Sequence, residues 1–347
     1  VQIDFLNRFK TIPEYRNLSA HQFFSDVAPE QQPVVLRGFG ANWPIVAAAN
    51  ASSNEFAAYL LKHYNGKKVT ISAAPASSEK GADKRFFYND DLTGLTFVSA
   101  EERLDLVLKR LISLMGQDSV PALSVQSALT QDILPGLIEE NTSDFFPDVK
   151  PRLWVGNEGV VDTHYDGTDN IACVVAGRRR FILFEPQQTS NLYPGPLEFT
   201  PAGVPVSMVN LRNPDLARYP RFSTALKHAY CVELAPGDAL FIPMLWWHHV
   251  ESLDKINGLM NYWWNGSFAP DATSPNFLDS MKLAILAMRD LTPKQRAAWR
   301  CMFDHYLFKQ GVDPTSYIPK HQQHILGEMS PDYIKMVKNY FIKKLQR

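Results

Sequence analysis

The sequence predicts a mainly β protein with helices, its centre a double-stranded β-helix of jelly-roll type. Three observations carry that prediction. From about Leu153 to Trp264, short β-rich runs recur between Pro and Gly, the texture of a sandwich or barrel. Helical periodicity and N-cap signals gather on either side of that stretch. Within it, His164-Tyr165-Asp166 is answered far downstream by Trp247-His248, a pattern suited to a metal site of the kind that jelly rolls host.

The elements follow in chain order. Residues 1–150 read as an α/β region that buttresses the barrel. Pro33-Val34-Val35-Leu36-Arg37-Gly38 is a strand opened by Pro and closed by Gly. Ser52 with Glu55, and Ser99 with Glu102, each fit a capping box ahead of a helix. The second of those helices carries Leu104, Val107, Leu108 and Leu111 on one face. The run Phe86 to Asp91 mixes aromatics with acids and reads as strand and turn, or as part of a substrate groove.

Residues 151–268 read as the catalytic jelly roll. Its strand candidates are Arg152–Val155, Ile171–Val175, Arg180–Phe184, Cys231–Leu234, Ala239–Ile242, Trp246–Ser252 and Gly258–Trp264. The Pro-rich stretch from Gln187 to Leu226 is too long for a hairpin and has the character of a functional loop. Residues 269–347 are helical, with N-caps before Pro at Ser274-Pro275, Thr292-Pro293 and Ser330-Pro331. In the last helix Tyr333, Met336, Val337, Tyr340 and Phe341 form a stripe sized to bury, against its own domain or in a homodimer.

Bulk properties narrow the function classes. A chain of 347 residues can bury a large core. Its net charge of -1 gives no support for nucleic-acid or membrane partners, and no apolar run spans a bilayer. Cys173, Cys231 and Cys301 show no CxxC spacing, so neither a disulfide framework nor a zinc knuckle is indicated, and a reducing cytoplasm is the expected location.

Two imidazoles and one carboxylate make a facial site for non-haem Fe(II). On a strand, residues i and i+2 share a face, so His164 and Asp166 reach one metal while Tyr165 points away. The third ligand must come from a distant strand alongside. Alternation places Trp246 and His248 on one face and Trp247 and His249 on the other, so one of the two histidines faces the metal. Three protein ligands leave room for a chelating co-substrate and O₂. Upstream, Pro236-Gly237-Asp238 turns the chain into the apolar strand Ala239–Ile242, and Pro243 releases it toward those histidines.

His164-Tyr165-Asp166, Asn170, Gly177, the Pro-Gly-Asp turn, Ile242-Pro243, Trp246 to His249 and Asn261-Tyr262-Trp263 together resemble the JmjC/cupin-like Fe(II)/2-oxoglutarate-dependent oxygenases. Within them the likeness is nearest to the subgroup of the asparaginyl hydroxylase that inhibits hypoxia-inducible factor. Its specific part runs from about Gly156 to Gly266; Pro33–Gly38 and Trp43-Pro44 are similar more weakly. The resemblance implies an oxidoreductase, a dioxygenase with Fe(II) on His164, Asp166 and His248 and with 2-oxoglutarate as co-substrate. It implies that Asn170 and Asn261 orient the co-substrate and that Trp263 walls the iron. It implies a protein or peptide side chain as the hydroxylated substrate, with a small molecule or an N-methyl group as alternatives. A metal cupin without an oxo acid, or a non-catalytic binding module, are the other classes.

The departures from the pattern fall in the co-substrate pocket. Where the family places a Lys for the distal carboxylate, this chain has Arg179, flanked by Arg178 and Arg180, so strand register decides which one turns inward. The expected Thr aligns with Val161, although Thr163 lies adjacent to the His164-Tyr165-Asp166 motif, and the expected Tyr with Ser124, leaving Ser124 as a co-substrate contact and Gln126 as a substrate-side residue. The other histidines, such as His228 and His305, read as structural.

Overall fold

The computed structural model describes residues 8–76, 84–117, 119–146, 148–201, 203–264 and 277–346. The chain divides into two compact units, 1–266 and 267–347.

In the first unit thirteen strands are described. They are β1 (Glu14–Arg16), β2 (Val34–Arg37), β3 (Lys68–Ala74), β4 (Val98–Arg103), β5 (Ala122–Leu129), β6 (Arg152–Gly156), β7 (Gly159–His164), β8 (Asp169–Ala176), β9 (Arg179–Phe184), β10 (Tyr230–Leu234), β11 (Ala239–Ile242), β12 (Trp247–Ser252) and β13 (Asn257–Trp264). They form a nine-stranded sheet in the order β1-β2-β11-β8-β13-β6-β5-β3-β4 and a four-stranded sheet in the order β10-β9-β12-β7. All pairings are antiparallel except β1 with β2. The two sheets face each other across a shared core, the jelly-roll arrangement read from the sequence.

That inner core holds Ala172, Val174, Phe181, Leu183, Leu240, Val250 and Leu259. The outer face of the larger sheet is covered by α1 (Pro44–Ala51), α2 (Ser53–His63) and α3 (Leu104–Leu114), which contribute Ile45, Phe56, Leu60, Leu104, Val107, Leu108 and Leu111 to a second cluster. The outer face of the smaller sheet packs Ile182, Phe184 and Trp247 against Leu192, Leu211 and Phe222, the last from α4 (Phe222–His228). β8 is buried at every position, as a strand covered on both faces must be. Fully burying one such Leu or Phe contributes about 1.5–3 kcal/mol, so three clusters of this size hold the sheets firmly.

Several expectations needed correction. Ser99 and Glu102 do not cap a helix; both lie in β4, where Ser99 pairs with Ser72 and Glu102 with Val69. Cross-strand pairing with β3 won over the local capping signal, and α3 begins at Leu104 without a side-chain cap. Ser52 does cap α2, accepting from Glu55 N, though without the reciprocal bond. The stretch from Gln187 to Leu226 is not wholly a loop: it holds the start of α4, and Pro194 bridges Ser207. All three cysteines are free.

Among the described residues of the second unit are α5 (Phe277–Met288), α6 (Pro293–Tyr306) and α7 (Pro331–Leu345). Thr292 forms a full capping box for α6, and Ser330 caps α7 by accepting from Tyr333 N. The Ser274-Pro275 cap lies outside the described residues. In α7 the stripe splits: Tyr333 and Val337 are half-buried, whereas Met336, Tyr340 and Phe341 are exposed. No described helix is long and apolar enough to cross a membrane.

Candidate metal centre

β7 ends at His164, and β12, which starts at Trp247, pairs His248 directly with it. The two imidazole centroids lie 4.3 Å apart. Each ring is oriented by its own backbone: His164 Nδ1 sits 2.8 Å from Asp162 O, and His248 Nδ1 3.0 Å from Trp246 O. A carbonyl can only accept, so each Nδ1 carries the proton and donates, which leaves each Nε2 lone pair for a metal. Burial, then the neighbouring His248, pushes the His164 pKa down to about 4, favouring the neutral ring that ligation needs.

The third donor reaches the site differently from the sequence expectation. Asp166 is not on the strand with His164; β7 stops two residues earlier, and Asp166 enters from the following turn. Its Oδ2 lies 3.7 Å from His248 Nε2 and accepts from Asn170 Nδ2 at 3.3 Å. The turn is fixed through its main chain. Leu245 N donates to Asp166 O at 2.9 Å, and Met244 N donates to Asp169 Oδ1 at 2.9 Å. Leu245 accomplishes this at φ +65°, a left-handed conformation that a bulky residue adopts only under constraint. One donor atom from each of His164, Asp166 and His248 falls within 4.8 Å of the others. Two neutral nitrogens and a carboxylate oxygen so gathered fit a divalent ion such as Fe(II).

The donors open into a cavity of about 360 Å³. Arg179 lines it, is only 7% exposed, and has no carboxylate partner among the described residues; its Nε is buried without a hydrogen bond. Burial alone lowers its pKa to about 10. Its neighbours point elsewhere. Arg178 pairs with Asp254 at 2.8 Å, and Arg180 spans Glu233 at 2.5 Å and Glu251 at 2.9 Å. The register left open by three consecutive arginines therefore turns the middle one inward. An inward guanidinium without a counter-charge is the feature expected of a site for an anionic ligand.

Asn170 and Asn261 also line the cavity and are linked, Asn261 Nδ2 donating to Asn170 Oδ1 at 2.8 Å. Together with the Asn170–Asp166 bond this forms a chain of amides ending on a metal donor. Trp263 shares the cavity face with Leu259 and Asn261, its ring edge-on to Trp154 with centroids 6.5 Å apart. Ser124 is not among the lining residues, and its hydroxyl donates to Val125 O at 3.2 Å. Gln126, two positions on, does line the cavity. His249 faces the other way, 3.5 Å from Glu251.

Sequence reasoning missed part of the wall. Trp154 belongs to it, as do Thr70 and Ser72 of β3, Phe97, and Asp162, whose buried carboxylate Arg85 clamps at 2.8–3.0 Å. Alternation of Val69 and Ile71 with Thr70 and Ser72 was the available signal for β3. Phe86 lines the cavity and lies edge-on to Phe97, in line with the groove reading of its segment.

Comparison with known proteins gives a consistent relationship. Residues 20–270 match the model of the cupin-like domain family. HSPB1-associated protein 1 of Homo sapiens is 38% identical over 139 residues, 36% of this chain and 28% of that protein. Lysine-specific demethylase 8 of Danio rerio is 28% identical over 262 residues, 75% of this chain and 60% of its own length. tRNA wybutosine-synthesizing protein 5 of Homo sapiens is 30% identical over 275 residues, covering 73% of this chain and 77% of the relative. The chain thus spans little more than a quarter of the first of these relatives and under two thirds of the second.

Proposed function

The chain belongs to the cupin-like domain family, among the JmjC Fe(II)- and 2-oxoglutarate-dependent oxygenases, and from that premise we propose that it is itself such an oxygenase, hydroxylating a protein or peptide side chain. One observation carries the reading: His164, Asp166 and His248 converge beside an inward, unpaired Arg179 in one cavity. When bound, iron with 2-oxoglutarate and O₂ supplies the oxidant for a C–H bond, at the expense of decarboxylation to succinate and CO₂.

The protein's own part is placement. His164 and His248 present Nε2 because their Nδ1–H groups are held by backbone carbonyls. Asp166 keeps its aim through Asn170 and the Leu245 amide. Arg179 attracts the distal carboxylate of the co-substrate, and Asn170 with Asn261 orients its metal-proximal end. Trp263 and the apolar residues Phe181, Val250 and Leu259 exclude water around it. Residues 1–150 act as the buttress, 151–268 as the catalytic jelly roll, and 269–347 as a helical extension whose exposed Met336, Tyr340 and Phe341 offer a surface for self-association. The free cysteines suit a reducing, cytoplasmic setting.

A second reading stays within the same chemistry, since demethylation is hydroxylation at an N-methyl carbon. One relative is named a lysine-specific demethylase, which favours testing it, and another is named for tRNA wybutosine synthesis, which adds tRNA to the candidates to be tested. Under anaerobic conditions the Fe(II)-loaded protein should develop a visible charge-transfer band on adding 2-oxoglutarate; no band at saturation contradicts the proposal. Mass spectrometry of candidate proteins and tRNA then separates a gain of one oxygen from loss of a methyl group.

A further inference from the structure

We infer that the indole N–H of Trp154 acts with Arg179 to bind the carboxylate of the co-substrate that lies away from the metal, an inference that rests on the 2-oxoglutarate reading above. The first support is register. In the smaller sheet His248 pairs with His164 and Leu183 at the level of the metal donors. Two residues along comes Val250 with Phe181, and two further comes Ser252 with Arg179. In the larger sheet Trp263 pairs with Asn170 at the metal level, and Asn261 with Ala172 one rung below. Leu259, the next rung, pairs with Val174 on one side and Trp154 on the other. Trp154 and Arg179 therefore both stand two rungs from the metal donors, roughly 13 Å along the strands. They come from opposing sheets and line one cavity.

The second support is the hydrogen-bond ledger of that cavity. Trp154 Nε1 and Arg179 Nε are both buried without a partner among the described residues. Indole and guanidinium are donors only, and a buried donor left unmade is unfavourable, so the pair calls for an acceptor-rich group. The other polar groups nearby are already engaged. Ser72 Oγ meets Ser99 Oγ at 3.2 Å, Thr70 Oγ1 donates to Glu101 at 2.6 Å, and the Ser124 hydroxyl donates to a backbone carbonyl. Val161 offers no polar group. Trp263 Nε1 is also unpartnered and its ring meets that of Trp154 at 6.5 Å, but its backbone pairs with Asn170 at the metal level, two rungs from Arg179.

A bidentate guanidinium gives each carboxylate oxygen one hydrogen bond and leaves lone pairs on both. The indole N–H supplies a third donor from the facing sheet, and its rigid ring fixes the depth at which the carboxylate stops. Trp154 thereby favours a 2-oxo dicarboxylate over a 2-oxo acid that lacks the second carboxylate.

The test is titration of the Mn(II)-loaded 347-residue chain with 2-oxoglutarate and with 2-oxobutyrate. Trp154→Phe keeps the aromatic packing and removes the donor. It is expected to weaken 2-oxoglutarate binding about tenfold or more while leaving 2-oxobutyrate unchanged. Equal affinity of variant and wild type for 2-oxoglutarate, or equal losses for both ligands, overturns the inference. Failure of the wild type to bind 2-oxoglutarate overturns the oxygenase reading itself, a separate result. A measurement on the wild type alone guards against a misfolded variant. In the Zn(II)-loaded protein one tryptophan indole proton resonance should shift with 2-oxoglutarate but not with 2-oxobutyrate, and a spectrum without that shift refutes the assignment.

Discussion

Replacing Arg179 by Met should move stability and binding in opposite directions. In the ligand-free protein this guanidinium is buried with no counter-charge, and burial brings its pKa down to about 10. At about 1.4 kcal/mol per tenfold change in acidity, that is a penalty on the folded state of about 3 kcal/mol. The sign follows from a folded-state pKa below the unfolded one. The penalty is complete at neutral pH and fades only as pH rises through about 10. Met retains the apolar volume of the stem without the charge, so the empty variant should melt a few degrees higher than wild type. In the same variant a charge-assisted, bidentate pair with the co-substrate is lost, worth about 3–5 kcal/mol, so Kd for 2-oxoglutarate should rise by hundreds-fold or more. Thermal unfolding with and without ligand, combined with calorimetric titration, reads both effects. A variant that is less stable when empty and binds 2-oxoglutarate as well as wild type would refute the reasoning, because the guanidinium would then have a partner in the fold.

Other perturbations probe the remaining parts. Asp166→Ala should cut Fe(II) content after dialysis to a small fraction of wild type while the fold persists, as measured by metal analysis beside circular dichroism. Glu251 is buried on the outer side of the small sheet, bridging Arg180 and Arg212 at 2.9 and 2.7 Å; Glu251→Ala leaves Arg180 to Glu233 and takes from Arg212 its carboxylate, and should cost about 3 kcal/mol in chemical denaturation. Although burial pushes the Glu251 carboxyl up, His249 and Arg212 hold it at about 2. Its contribution is therefore present above pH about 4.5 and lost as pH falls toward 2, so the stability gap between wild type and Glu251→Ala should narrow across that window. At Gly258 an added methyl group meets Phe56 Cζ at 2.8 Å and Val175 Cγ2 at 2.9 Å; Gly258→Ala should destabilise by about 1–3 kcal/mol, read from the denaturation midpoint.

The legible parts of the sequence were those where local pattern and tertiary environment agree. The strands of the jelly roll announced themselves because both of their faces are covered, and the alternation of Leu259, Asn261 and Trp263 predicted their common face correctly. Three kinds of feature were hidden. β4 carries a strong capping signal at Ser99 that only its pairing with Ser72 overrides. The entry of Asp166 from a turn rather than a strand depends on a bond to Leu245, a residue distant in sequence. Trp154 falls within a strand read from the sequence, but its place on the cavity wall at the level of Arg179 follows only from the pairing of the strands. In each case the deciding contact joins segments far apart in the chain, and no short window contains it.

The backbone bond between Leu245 and Asp166 has a consequence for anyone reshaping this centre. It ties the approach to the second imidazole, His248, to the loop bearing the carboxylate, so neither can be lengthened, shortened or transplanted by itself. Grafting the triad onto another scaffold therefore calls for carrying the Pro243–Trp246 corner along with it.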